Sequence, residues 1–157
     1  ARREVAGAAL AAGKSVQVCV GGEEESLLSR PGEDALVLSR RKGFVRLALS
    51  HGADIVPVLG LGVTDVYSTY SFLGETRRRI QKRFKIALPL FHGRMGTPLP
   101  YRKKVEVLIG EPIRTPVPDN LGKRPEAALV DEYHAKYVEA LTALHAKHAK
   151  GRKLIIL

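Results

Sequence analysis

A glycine loop with three glutamates is the first segment whose residue types suit ligand binding. Gly21 and Gly22 directly follow an alternating run of valines, and the glutamates 23–25 continue the loop. Glycines let a ligand come close to the backbone, where the loop amides can meet an anion. The same composition also fits a tight turn whose glutamates are solvated. The segment is therefore a candidate site, and spacing alone does not decide between these interpretations.

Two cations four residues apart form a second candidate, this time for an anion. Lys42 and Arg46 project from one side of a predicted helix, near its N-terminal end. Free amides at a helix N-terminus add positive charge there and favour phosphate. A solvated basic helix face is the alternative interpretation. Gly43 slightly favours the anion site, because a glycine in a short helix costs about 1 kcal/mol and indicates close packing or ligand approach.

None of the five histidines stands in a pattern typical of a general base. His51 falls at a predicted helix C-terminus, and His145 and His148 fall in the last turns of another helix, where the dipole favours an imidazolium. The side chains of His134 and Glu139 diverge on a helix, since five helical steps turn by about 140°. The sequence therefore predicts no catalytic histidine of its own.

Composition limits the classes of protein that remain. The chain has 157 residues and is 45% hydrophobic, which is enough for one core. Its net charge of +10 favours an anionic partner: nucleic acid, lipid headgroup or a phosphorylated cofactor. The single cysteine, Cys19, excludes an internal disulfide and a thiolate metal site, and no metal is expected. The longest apolar run, 55–63, contains proline and glycine and is far shorter than the roughly 20 residues of a membrane-spanning helix.

The candidate residues lie on elements that alternate between helix and strand. Helical periodicity predicts helices over 2–12, over 40–50 and from about residue 125 onward, and alternating or buried apolar runs predict strands over 15–20, 35–38, 55–59, 105–109 and 154–157. Proline and glycine predict a turn over 30–32, an irregular segment over 86–101 and a surface connection over 111–125. In the last helix an apolar stripe is predicted at Tyr133, Tyr137, Leu141, Leu144 and His148. Such alternation is typical of an α/β layer structure.

One further helix, predicted over 73–85, is strongly basic. Its apolar residues Ile80 and Phe84 stand among six cations, Arg77, Arg78, Arg79, Lys82, Arg83 and Lys85. A cationic face beside apolar side chains suits an anionic membrane surface. A plain solvated helix is the alternative interpretation.

Six segments, taken in order, resemble the type-2 diacylglycerol and monoacylglycerol acyltransferases. They are VGGEEESL (20–27), RKGFVRLALSHGADIVPV (41–58), DVY (65–67), PLFHGR (89–94), VLIGEPI (107–113) and YHAKYVEAL (133–141). The resemblance runs through nearly all of the chain. Its most specific part is RKGFVRLAL followed by GADIVPV, which is also similar to blocks of glycerolipid acyltransferases generally.

The resemblance implies the fold and the reaction. It implies that residues 1–157 are the C-terminal part of a single acyltransferase domain, with a mostly parallel or mixed central sheet flanked by helices. The implied reaction transfers a fatty acyl group from acyl-CoA, as co-substrate without a bound cofactor, to a hydroxyl of an acylglycerol. The implied location is the endoplasmic reticulum membrane or a lipid droplet. A membrane surface is an expected partner and nucleic acid is not. A homo-oligomer is compatible with the resemblance.

The resemblance also assigns roles to the candidate residues. Gly21, Gly22 and Glu25 are expected to bind substrate. Glu25 matches the family's acidic position and is expected to help hold the acceptor, and loop amides near Gly21 and Gly22, or the Arg46 guanidinium, are expected to donate to the oxyanion. On the predicted helix 40–50, Lys42, Gly43, Phe44 and Arg46 are expected to bind substrate, with the cations on the phosphates of coenzyme A. Glu25 and Arg46 are expected to support catalysis.

Two departures from the family's pattern limit the site. The His-Pro-His-Gly motif that supplies the catalytic base is expected upstream of these residues, so the chain alone is expected to be inactive. In the family's Gly-Glu-Asn-Asp segment Val63 and Thr64 differ, whereas Asp65 and Tyr67 are retained. Two other functions remain open at this point: transfer to a phosphorylated acceptor such as lysophosphatidate, and a non-enzymatic basic module that binds a membrane surface or nucleic acid.

Overall fold

A computed structural model describes residues 3–21, 25, 30–69 and 91–157. Within these ranges the helices are α1 (Arg3–Ala11), α2 (Gly43–His51) and α3 (Ala127–His148). The strands are β1 (Glu33–Leu36), β2 (Val58–Leu61), β3 (Ser68–Thr69), β4 (Phe91–His92), β5 (Glu106–Ile109) and β6 (Lys153–Ile156). Short 3-10 turns occupy Val63–Asp65 and Arg94–Gly96. The predicted α/β class is confirmed.

The strands pair in twos. β1 and β6 are parallel, with Glu33 opposite Lys153 and Leu36 opposite Ile156, whereas β3 and β4 are antiparallel. β2 pairs with β5. The mixed strand directions are as expected, but in the described part of the chain they occur as separate pairs instead of one central sheet.

The chain divides into two compact units. The first contains Ala1–Val20, Leu38–Leu59 and Ile109–His148, and the second contains Gly21–Val37, Gly60–Leu108 and Ala149–Leu157. The interpretation as part of a single domain stays a prediction.

The first unit is built around α2, which packs against both α1 and α3. Because it has two neighbours, α2 buries a wide face that includes Val45, Leu47 and Leu49. The helix ends where predicted, since Gly52 adopts a left-handed conformation with φ of 63° and its amide bonds back to the Ala48 carbonyl.

On α3 the predicted apolar stripe is partly wrong. The buried residues are Val130, His134, Tyr137, Leu141 and His145, so only Tyr137 and Leu141 were placed correctly. His134 can be buried because its Nε2–H donates to the Leu38 carbonyl oxygen at 3.0 Å. A pattern that counts histidine as polar misses such a position.

The predicted strand over 15–20 is wrong in the part of the chain that the structure covers. Residues 14–19 have no regular secondary structure, because none of the described strands pairs with them. Val16, Val18 and Val20 nevertheless line one common cleft, as their alternation suggests.

The predicted strand over 55–59 is displaced. Ile55 forms only an isolated antiparallel bridge with Ile113, and β2 begins at Val58. Pro57 stands between them and has no amide to donate to a ladder, although its carbonyl accepts from the Gly110 amide at 2.8 Å.

Other predicted elements agree to within about three residues, and the largest difference is the start of α2, at Gly43 instead of residue 40. The turn over 30–32 is present, with the Glu33 amide bonded to the Arg30 carbonyl and Gly32 at φ of 82°. β1 begins two residues before the predicted strand, and the described part of 86–101 contains β4 and a 3-10 turn where no regular structure was expected. The basic helix predicted over 73–85 lies outside the described residues. None of the helices within the described ranges is long and apolar enough to cross a membrane.

Candidate functional site

The N-terminal end of α2 carries the two predicted cations. Lys42 immediately precedes the helix, and its Nζ donates to Asp131 Oδ1 on α3 at 2.8 Å. This hydrogen bond lowers the pKa of the Asp131 carboxyl, and the charges of Lys42 and Arg46 act in the same direction. Their spacing of four residues places Lys42 and Arg46 on one side of this end of α2. Two cations facing a single carboxylate leave net positive charge at this end of α2.

The first turn of α2 is open to an anion. Lys42 occupies the N-cap position without a capping side-chain hydrogen bond, and the first intrahelical bond runs from the Arg46 amide to the Lys42 carbonyl at 3.1 Å. The amides before Arg46 are therefore available to a bound anion. Gly43 is exposed, and a Cβ there would meet no atom of the described residues within 4 Å. Close packing against the described part of the chain is thus excluded as the reason for this glycine.

An apolar cleft of about 120 Å³ lies along another side of α2, within the same unit. Phe44 forms part of its wall and packs edge-on against Tyr137, with ring centroids 4.8 Å apart. The other lining residues are Leu10, Val16, Val18, Val20, Leu47, Ala48, Ala53, Asp54, Ile55 and Val56. Only Asp54 among them is charged, and its carboxylate is bound by the Arg114 guanidinium and the Thr115 amide. The side chains that line the cleft are therefore mostly apolar.

The glycine loop belongs to the second unit, and there Gly21 and Glu25 lie in contact. Glu25 Oε1 accepts a hydrogen bond from the Val37 amide at 2.9 Å. A Cβ on Gly21 would fall 1.7 Å from the Glu25 carboxyl carbon, so only glycine leaves room for this carboxylate. Gly22 lies outside the described residues. The predicted site residues thus form two groups, one in each unit.

Two of the described histidines make contacts that give their side chains a structural role. His134 donates to the Leu38 carbonyl, and its ring centroid lies 6.4 Å from that of Phe44. His51 Nδ1 lies 3.0 Å from the Leu47 carbonyl oxygen and 2.9 Å from Ser50 Oγ. These contacts support the structural interpretation that the sequence favours for both.

A cluster around Arg152 was missed by the sequence analysis. The Arg152 guanidinium donates hydrogen bonds to both carboxylate oxygens of Asp34 at 2.9 Å and to Thr64 Oγ1 at 2.8 Å. It also contacts the carboxylate of Asp65. Asp34 lies within β1 and is only 4% exposed. Thr64 Oγ1 donates to the Glu33 carbonyl at 2.9 Å, which joins the 3-10 turn to β1. The retained Asp65 was the one available signal, but Arg152 lies 87 residues away in sequence, beyond the reach of any local pattern.

The cluster shifts the titration of its members. Burial opposes ionisation of Asp65, but hydrogen bonds from the Gly32 amide and from Arg152 outweigh it and lower the pKa of this carboxyl. The hydrogen bonds to Asp34 and Asp65 raise the pKa of Arg152 further above its ordinary value, against the effect of burial. Asp65 and Arg152 are therefore both ionised at neutral pH.

Comparison with known proteins identifies the family. The family model "Diacylglycerol acyltransferase" matches residues 6–154. Diacylglycerol O-acyltransferase 2 of Bos taurus is 41% identical over 148 residues, which cover 87% of this chain and 40% of that protein. Diacylglycerol O-acyltransferase 2 of Dictyostelium discoideum is 43% identical, covering 87% and 43%. 2-Acylglycerol O-acyltransferase 1 of Bos taurus is 38% identical over 146 residues, covering 86% and 42%.

The chain spans about two fifths of the length of these curated relatives. No solved structure matches it. The resemblance given by the six sequence segments is confirmed, because the family match covers nearly the whole chain. The chain belongs to the diacylglycerol acyltransferase family.

Proposed function

We propose that the protein carrying this chain transfers a fatty acyl group from acyl-CoA to a hydroxyl of a diacylglycerol or monoacylglycerol, as the names of its relatives suggest. The observation that carries the proposal lies on α2. One end of this helix has two cations and uncapped amides, and another side forms an apolar cleft. Acyl-CoA has both properties in one molecule, a phosphate-rich head and an apolar chain.

The phosphates of coenzyme A would contact Lys42, Arg46 and the first amides of α2. Asp131 accepts a hydrogen bond from Lys42, whereas no side-chain hydrogen bond to another described residue engages the Arg46 guanidinium. The cleft beside Phe44 has a volume comparable to the cavity of about 150 Å³ that binds benzene in a protein interior, so it has room for a short stretch of acyl chain.

The acceptor would contact the Gly21–Glu25 group. The Glu25 carboxylate is fixed by the Val37 amide and is suited to accept a hydrogen bond from an acylglycerol hydroxyl. Loop amides near Gly21 are the donors that we assign to the oxyanion.

In the proposed reaction a histidine outside these residues removes the proton from the acceptor hydroxyl, as the family resemblance implies. The hydroxyl oxygen bonds to the thioester carbonyl carbon, the carbon–sulfur bond breaks, and the coenzyme A thiolate leaves. General-base assistance of this kind contributes about 10²- to 10⁴-fold. We place the protein at the endoplasmic reticulum membrane or a lipid droplet, where such acceptors are found.

An acceptor comparison tests the proposal. Membranes containing the protein expressed from its complete gene are incubated with labelled palmitoyl-CoA and with diacylglycerol, monoacylglycerol or lysophosphatidate. We expect labelled triacylglycerol or diacylglycerol from the neutral acceptors, and no product from the 157 residues expressed alone. Labelled phosphatidate as the main product would instead assign a phosphorylated acceptor.

A further inference from the structure

Arg152 connects the C-terminal strand to two other parts of the second unit. It directly precedes β6, which pairs in parallel with β1 up to the bond from the Leu157 amide to the Leu36 carbonyl at 2.8 Å. Its guanidinium holds β1 again, through both oxygens of Asp34, and it also holds the 3-10 turn through Thr64. β1 is therefore held by backbone pairing with β6 along its length and by the bidentate ion pair between Arg152 and Asp34 near its start.

The far end of β1 leads to the proposed acceptor group. Val37 is the first residue after the strand, and its amide donates to Glu25 Oε1 at 2.9 Å. The Glu25 carboxylate lies against Gly21, where a Cβ would overlap it. Its position thus depends on the place of β1, and a small shift of this strand would move the Val37 amide.

We propose that Arg152 is a positioning residue that acts through β1 to hold the Glu25 carboxylate in place for the acceptor. The inference rests on the proposed function only in the role given to Glu25. The alternative is a purely structural ion cluster, in which Arg152 contributes to folding and has no separate effect on either substrate.

The geometry requires arginine and not merely a cation. Three nitrogens of the guanidinium reach Asp34, Thr64 and Asp65 at the same time, and an ammonium cannot reproduce the parallel pair of bonds to Asp34. Arg152 is only 16% exposed and Asp34 only 4%. Since Asp34 is so well buried, water does not replace the contact that a lysine at position 152 would weaken, and we expect β1 to shift.

Arg152→Lys is the informative variant, because it keeps the charge and loses the two-pronged contact. In the protein expressed from its complete gene, we expect the KM for diacylglycerol to rise about tenfold, the loss typical of one hydrogen bond to a charged group. The KM for palmitoyl-CoA should stay unchanged. Arg124→Lys is the matched control, since it makes the same substitution at an exposed arginine of the first unit outside the proposed site and should change neither constant.

Two further measurements separate positioning from folding. If Arg152 acts through Glu25, adding Arg152→Lys to a Glu25→Ala variant should not raise the diacylglycerol KM further. If the two residues act independently, the KM of the double variant should rise by the product of the two single fold-changes. Hydrogen exchange of the Val37 amide gives a readout without activity: it should be faster in Arg152→Lys and unchanged in Arg124→Lys.

The outcomes are distinct. Unchanged Val37 exchange in a folded Arg152→Lys protein would overturn the inference, as would a fall in melting temperature with both KM values unaltered. If Arg152→Lys does not fold, Asp34→Asn is measured in its place, with the same exchange and KM criteria. A wild-type protein that transfers no acyl group would refute the proposed function, while the exchange measurement would still decide whether Arg152 positions Glu25.

Discussion

The Lys42 ammonium group and the Asp131 carboxylate form an ion pair at 2.8 Å between the start of α2 and the first turns of α3. The pair is solvent-accessible, with the Asp131 side chain 59% exposed, so its contribution to stability is small. The pair matters more for the local charge, because the Asp131 carboxylate partly neutralises Lys42 and Arg46, the two cations that we propose to contact the coenzyme A phosphates.

Removing that carboxylate should strengthen acyl-CoA binding. Asp131→Asn leaves Lys42 and Arg46 without an opposing charge, and at surface dielectric this is a change of about 1 kcal/mol or less. We expect a KM for acyl-CoA that is lower by about two- to fivefold, most clearly at low salt. Initial rates at 20 and 200 mM salt measure this change. A KM that rises would show that Asp131 is needed to orient Lys42.

Two glycine-to-alanine variants test different predictions, one for acceptor binding and one for stability. Gly21→Ala places a methyl group on the Glu25 carboxyl, so it should displace Glu25 from the Val37 amide and raise the acceptor KM. Gly43→Ala meets open space at the start of α2 and should stabilise the protein by up to about 1 kcal/mol. Thermal unfolding of both variants, with acceptor kinetics for the first, checks these expectations. Equal acceptor KM values in Gly21→Ala and the parent would exclude the proposed role of the Gly21–Glu25 contact.

The lowered pKa of Asp65 predicts how stability depends on pH. A carboxyl whose folded pKa lies below its unfolded value of about 3.9 contributes stability that is fully present above the unfolded pKa. That contribution is lost as pH falls through the folded pKa. Arg152 stays charged throughout, because its pKa is raised still further. Asp65→Asn should therefore be less stable than the parent at pH 7, and the difference should shrink below pH 4. Urea unfolding at pH 7, 5 and 3 tests this, and a pH-independent difference would contradict it.

The basic segment 73–85, which lies outside the described residues, carries a prediction from sequence alone. If it contacts an anionic membrane, each cation contributes about 1 kcal/mol and the attraction decays over about 8 Å. Replacing Arg78, Arg79 and Lys82 by glutamine should weaken co-sedimentation with anionic vesicles, and Phe84→Ser should weaken binding to neutral vesicles too. The membrane contact must lie elsewhere if the triple variant binds anionic vesicles like the parent.

Local patterns were sufficient to predict the three helices among the described residues, but not the contacts between distant residues. The end of α2 could be predicted because Gly52 and the apolar spacing are both local signals. The burial of His134 could not, since it depends on the Leu38 carbonyl 96 residues away. The displaced start of β2 follows from Pro57, a signal present in the sequence but outweighed by its apolar neighbours.

The candidate site shows the same limit. The shared side of Lys42 and Arg46 follows from helical spacing, but the carboxylate that opposes them is 89 residues from Lys42. The Arg152 cluster joins β1 to a residue 118 positions later, and no periodicity within either segment indicates the pair. The sequence marks Gly21 as a loop residue that lets a ligand come close, whereas its close approach to Glu25 depends on the folded structure.

The central claim is that α2 binds acyl-CoA through Lys42 and Arg46 in an acyl transfer to acylglycerol. Its most direct test is the initial rate of labelled triacylglycerol formation as a function of palmitoyl-CoA concentration, in the protein expressed from its complete gene. Lys42→Ala with Arg46→Ala should raise the KM for palmitoyl-CoA by about tenfold or more and leave the KM for diacylglycerol nearly unchanged. Lys136→Ala with Lys147→Ala, which removes the same charge from exposed positions of α3, should change neither. An unaltered palmitoyl-CoA dependence in the first double variant, or an equal shift in both, would contradict the account.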